Sequence, residues 1–155
     1  MPTTQIPDYL TDPHTLTNRQ LAAVLRDPRN TGTPALRAAH HLIAATDAAR
    51  AEHMREFFQI HGADTDSDQR LLVVEVDFDT LANLEELWDG CRDRDGQMWA
   101  ALFARSLADG ELGADLTRTG HLPEAIAQAL AEAMLILAGA QDTFRVERTD
   151  QEPPF

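Results

Sequence analysis

Residues 71–79, LLVVEVDFD, admit one comfortable backbone conformation. Leu72, Val74, Val76 and Phe78 alternate with Val73, Glu75, Asp77 and Asp79, which predicts a β-strand with one apolar face and one face that turns acidic along its length. A strand is not stable alone in water, so the rest of the chain must supply a partner strand and helices to cover the apolar side. The partner that the pattern offers is residues 143–148, TFRVER, where Phe144 and Val146 alternate with Arg145 and Glu147. In that pairing Arg145, or Arg148 at the edge, faces Glu75 or Asp77, and each such cross-strand pair contributes a few tenths to ~1 kcal/mol.

Helical signals fill most of the remainder. Thr17 with Gln20 three residues later forms a capping box before Leu21, Val24 and Leu25, and the helix should stop at Asp27 because Pro28 restricts the residue before it. Thr33 caps a second helix with Pro34 at its first position. Its stripe of Ala39, Leu42, Thr46, Ala49, His53 and Phe57 predicts a long helix over residues 35–60, alanine-rich and closely packed in its first half. A third helix is expected from Asp79 or Thr80 to about Gly90, carrying Leu81, Leu84, Leu87 and Trp88. A fourth is capped by Asp95, runs through Trp99, Leu102 and Phe103, and ends near Gly110. The last begins at Leu122 or Pro123 with Ile126, Leu130, Ala133, Met134 and Leu137 inward; Leu135 and Ile136 widen its apolar surface until its second half should be buried, centrally or in a dimer interface.

The expected architecture is an α+β, helix-rich single domain over residues 1–155, with about five helices on a small sheet formed by residues 71–78 and 143–148. Residues 1–16, with Pro2, Pro7 and Pro13, read as an extended N-terminal arm, and residues 150–155 as a tail. A two-stranded sheet is minimal, so either a further short strand or pairing of two copies through an edge is anticipated.

Composition narrows the function classes. There are 26 Asp and Glu against 13 Lys and Arg, a formal charge of −13, and every basic residue is arginine. Such a field repels nucleic acid and anionic lipid and attracts basic partners or cations. The longest strongly apolar run, residues 133–138, is too short to span a membrane, and the first residues lack the basic and apolar regions of a signal peptide. The single Cys91 excludes an internal disulfide, which fits a cytoplasmic location.

Two constellations stand out chemically. Counting Asp64 as position 1, Asp66 and Asp68 fall at positions 3 and 5, Leu71 at 8 and Glu75 at 12, a spacing that resembles the calcium-binding loop of EF-hands, where alternate residues turn inward to give hard oxygen ligands. It departs from that pattern at position 6, where Gln69 replaces glycine, and in leading into a strand where a helix is required. A solvent-facing acidic loop is the simpler reading of the same residues. Asp115, Thr117, Thr119 and Gly120 echo the motif without its last ligand. The second constellation is His53, Glu56 and His61, which converge at the end of the long predicted helix and offer a histidine and carboxylate ligand pocket; the alternative is His53 packed beside Phe57.

Covalent chemistry finds little support. The only serines are Ser67 and Ser106, neither in a G-x-S-x-G context, and the acidic neighbours of Cys91 oppose thiolate formation. No catalytic set and no cofactor motif is identified, and no family's motifs run along the chain. The leading expectation is a non-enzymatic acidic protein-interaction or regulatory module acting through a protein partner or self-association. The alternatives are a small enzyme or ligand-binding protein using the His/carboxylate pocket, and an acidic inhibitor that mimics nucleic acid.

Overall fold

The computed structural model describes residues 9–30, 32–64, 70–110, 122–147 and 149. Its fold is helix-rich α+β: five α-helices among the described residues pack with a small antiparallel sheet. The helices are α1 (Asn18–Arg26), α2 (Pro34–Ala44), α3 (Phe78–Asn83), α4 (Arg94–Asp109) and α5 (Glu124–Leu137). The strands are β1 (Tyr9–Thr11), β2 (Phe58–Asp64) and β3 (Arg70–Val76), in the order β1-β2-β3.

Local chemistry accounts for the helix starts. The Gln20 amide donates to Thr17 Oγ1 (3.1 Å) while Gln20 Oε1 accepts from the Thr17 amide (2.8 Å), the reciprocal box that satisfies two otherwise orphaned donors. Thr33 Oγ1 accepts from the Leu36 amide at 3.2 Å and Pro34 opens α2, as its fixed φ favours. The α4 helix ends at Gly110, whose φ of 73° is the left-handed conformation that glycine adopts without a steric cost.

The expected helix over residues 35–60 is overturned. It stops at Ala44, and two 3₁₀ turns, Asp47–Ala49 and Glu52–Phe57, lead into β2. Thr46 is the breaking point: its hydroxyl donates back to the Ile43 carbonyl (2.7 Å) and accepts from the Ala48 amide (3.3 Å), closing one element and capping the next. Beyond it, residues 58–61 alternate, with Phe58 and Ile60 buried and Gln59 turned outward, and strand pairing wins over helical spacing.

The identity of the sheet partner is therefore corrected as well. The strand expected over residues 71–78 is present as β3 over residues 70–76, but it pairs with β2, immediately upstream, and not with the described part, 143–147, of the expected partner at residues 143–148. The register sets Phe58 opposite Val76, Gln59 opposite Glu75, Ile60 opposite Val74 and Asp64 opposite Arg70. Phe58, Ile60 and Val74 enter the core with Leu72 and Val76 packed at its margin, while Gln59, His61 and Glu75 share the other face. β1 lies on the far side of β2, so the third strand comes from within the expected extended arm, residues 1–16. Residues 143–147 form no strand; they follow α5 as the end of a turn and an irregular stretch.

The core is centred on α2, whose Ala38, Ala39, Leu42 and Ile43 are fully buried against α1, α4 and α5. Alanine at these positions permits close helix approach, as the pattern predicts. The third helix starts earlier than expected, at Phe78, because Asp77 caps it by accepting from the Thr80 amide (3.1 Å). It also breaks at Leu84: a separate 3₁₀ turn, Glu85–Trp88, buries the Trp88 indole, whose N–H donates to the Leu81 carbonyl at 2.9 Å. The expected burial of the second half of α5 is not found within the chain, where Met134 and Leu137 stand exposed.

Candidate functional site

Where β3 hands over to α3, three carboxylates meet one depression. Glu56 lies in the last part of the Glu52–Phe57 3₁₀ turn, Glu75 lies opposite Gln59 across the β2–β3 ladder, and Asp77 caps α3. The Asp77 amide donates to the Phe57 carbonyl (2.9 Å), which holds the two chain segments together at that point. Glu56, Gln59, Glu75 and Asp77 surround a depression of about 280 Å³ floored by Phe57 and Val76.

The acids between Glu56 and Asp89 differ in how their charge is met. Arg105 Nε stands 2.7 Å from Asp79, and Arg94 bridges Glu85 (3.3 Å) and Asp89 (3.2 Å), so these three are each faced by a guanidinium. Glu56 and Asp77 have no ion-pair partner among the described residues, and Glu75 has only His61, with Nε2 at 4.0 Å from Oε2. The result is a local excess of negative charge at the depression. The carboxylates do not converge as a metal requires: among the described residues no group of three or more His, Cys, Asp or Glu side chains is placed to hold an ion. A spread charge, such as a guanidinium, matches this geometry better than a point cation.

The calcium-loop constellation is pulled apart by the register. Asp64 pairs with Arg70, which leaves Glu75 five ladder positions away, about 17 Å along the strand, so Glu75 cannot close a twelve-residue loop begun at Asp64. Asp66 and Asp68 lie outside the described residues, as does the echo at Asp115, Thr117, Thr119 and Gly120.

The three members of the His53, Glu56 and His61 set reach different surroundings. His53 Nε2–H donates to the Leu87 carbonyl (2.7 Å), fastening the Glu52–Phe57 turn to the Glu85–Trp88 turn. His61 sits on β2 beside Glu75, and Glu56 lines the acidic depression, which neither histidine lines. The set fails to form the expected pocket because the helix meant to carry it is two turns and a strand.

A histidine and carboxylate pair does line a cavity elsewhere. His41 Nε2 is 3.1 Å from Glu132 Oε1, on the wall of a cavity of about 150 Å³ whose other sides include Leu135, Ile136, Phe144 and Val146. His14 and Glu52 make a similar exposed pair at 2.6 Å. These pairs join residues 91 and 38 positions apart, so no local spacing signals them. His40 differs from both: it is 2% exposed, stacks on Phe78 at 5.9 Å between centroids, and burial lowers its pKa to about 4. Burial also raises the Cys91 thiol pKa, with the nearby Asp47 carboxylate adding to the effect, so the thiolate is disfavoured.

No protein-family model, curated protein or solved structure matches the chain. Among the described residues no helix is long and apolar enough to cross a membrane.

Proposed function

We propose that this chain is a non-enzymatic, cytoplasmic protein-interaction module whose acidic depression receives an arginine- or lysine-bearing segment of a partner protein. The supporting observation is the trio of Glu56, Glu75 and Asp77 around one depression, with neither Glu56 nor Asp77 neutralised by a described arginine. A guanidinium entering there gains charge-assisted hydrogen bonds, and its stem packs on Phe57 and Val76. The long-range field of a −13 chain steers basic segments toward it and away from nucleic acid.

The test is fluorescence anisotropy with a labelled hexa-arginine peptide, comparing Glu56→Gln/Glu75→Gln with Glu86→Gln/Asp142→Asn. Both double variants remove the same charge, but only the first alters the depression. About tenfold weaker binding in the first, with the second close to the unaltered chain, is expected from the loss of two partly exposed charge pairs. Equal weakening in both assigns the binding to net charge alone and overturns the site.

A small-ligand role has one observation in its favour, the His41–Glu132 pair on the wall of an otherwise largely apolar cavity. It differs from the His53, Glu56 and His61 pocket in residues and position, and native mass spectrometry of the purified chain tests it by a retained ligand mass.

A further inference from the structure

Four large apolar side chains stand exposed among the described residues, and three of them lie on α5 or just after it: Met134 at 44%, Leu137 at 38% and Phe144 at 61%. The helix reads EAIAQALAEAMLIL, and only Ile126, Ala129 and Ala133 are buried against the rest of the chain. Its outward side carries Ala127, Ala131, Met134 and Ala138, spaced by four, three and four residues, so they form one continuous stripe. A helix apolar on nearly all sides is normally covered on all sides. Among the described residues this one is covered on one.

Charge identifies what covers the other. The chain carries 26 acidic residues, yet residues 125–141 contain a single one, Glu132, and that carboxylate is engaged by His41. Two molecules of charge −13 repel each other wherever their acidic faces meet. Along α5 they can approach with little local repulsion and without burying an unpaired charge. A basic foreign partner is drawn to the acidic depression, whereas the α5 stripe offers it no carboxylate.

We infer that α5 packs against α5 of a second copy about a two-fold axis, with Met134 in the middle of the stripe and Leu137 at its margin. An isologous contact pairs the stripe with itself, so an apolar, nearly uncharged strip is automatically complementary. The alanines let the two axes come within roughly 8–10 Å. A 14-residue helix is about 21 Å long. One such helix pair buries less than a standard interface, so dimerisation is weak, with a dissociation constant of roughly 10–100 µM. The contact is independent of the acidic depression, and salt separates the two: added salt strengthens dimerisation by screening repulsion and weakens binding of a basic peptide.

Sedimentation equilibrium on the full chain, with and without added salt, tests this. The unaltered chain is expected to pass from monomer to dimer across that concentration range. Met134→Glu/Leu137→Glu is expected to weaken the dimer at least ~100-fold, because each contact would then bury unpaired carboxylates. Both side chains are exposed in the single chain, so the circular dichroism spectrum should be unchanged; Met134→Gln/Leu137→Gln repeats the test without added charge. A chain that stays monomeric to roughly 1 mM overturns the inference, as does a dimer that neither double variant weakens.

Discussion

Gln97, on α4, grips Asp47 at both backbone and side chain: its Oε1 accepts from the Asp47 amide at 2.6 Å and its Nε2 donates to the Asp47 carboxylate at 2.9 Å. The same Nε2 donates to the Arg92 carbonyl at 2.6 Å, so one buried amide joins the turn after α2 to the start of α4. Gln97→Leu preserves volume and apolar contact but leaves buried partners unsatisfied. A loss of about 2–3 kcal/mol is expected in urea denaturation, with the slope of the transition unchanged.

His40 makes stability depend on pH. Its pKa is about 4 in the folded chain against 6.5 for the free side chain, so between those values the unfolded chain binds a proton that the folded chain does not. Stability from this residue is fully present above pH 6.5, falls as pH drops through the window, and levels off below about 4. The full swing is about 3 kcal/mol, and denaturation midpoints measured from pH 7 to pH 4 should reveal it. His40→Leu should flatten that dependence. Asp27 does not confuse the measurement: its hydrogen bond from Arg29 holds its pKa below 3.8, so its stabilising contribution persists above that pH and is lost only below this window.

Gly96 lies where α4 comes close to the entry of α5. A Cβ at this position would sit 2.7 Å from Pro123 Cδ, and a proline ring has little freedom to retreat. Gly96→Ala gains up to ~1 kcal/mol of helix propensity but costs about 1–3 kcal/mol in overpacking. A lower melting temperature is expected; a higher one would show that the two helix starts can separate without cost.

Thr46→Val keeps the buried shape and removes both hydrogen bonds of the hydroxyl. About 1–2 kcal/mol of stability should be lost. The content of helix should not rise, because pairing of Phe58 and Ile60 with Val76 and Val74 holds the later residues as a strand.

What was legible in the chain was what local chemistry decides. The Thr17–Gln20 box, the Thr33–Pro34 start and the stops at Asp27 and Gly110 each need only neighbours in sequence, and each is where the pattern placed it. The alternation of residues 72–76 likewise reports a strand correctly. Choosing its partner is a competition between distant and near segments, and Phe144–Val146 carried the same alternation as Phe58–Ile60. The latter was hidden inside a helical stripe that ran across Thr46, a residue whose hydroxyl ends one element and caps another. The candidate site shows the same division. Glu56, Glu75 and Asp77 were visible as separate acids, but their meeting depends on the β2–β3 register, and His41 with Glu132 depends on the packing of α2 on α5.

The pairing of β2 with β3 carries a kinetic consequence. Only residues 65–69 separate the two strands, whereas the alternative partner lies roughly 70 residues downstream of β3. Loop closure over the longer span costs about 2 kcal/mol more in chain entropy. A nearest-neighbour hairpin can therefore zip early, before α4 and α5 exist on a growing chain, and contacts that close such short loops are associated with fast folding. During synthesis, all three strands are complete once Val76 has emerged, about midway along the chain.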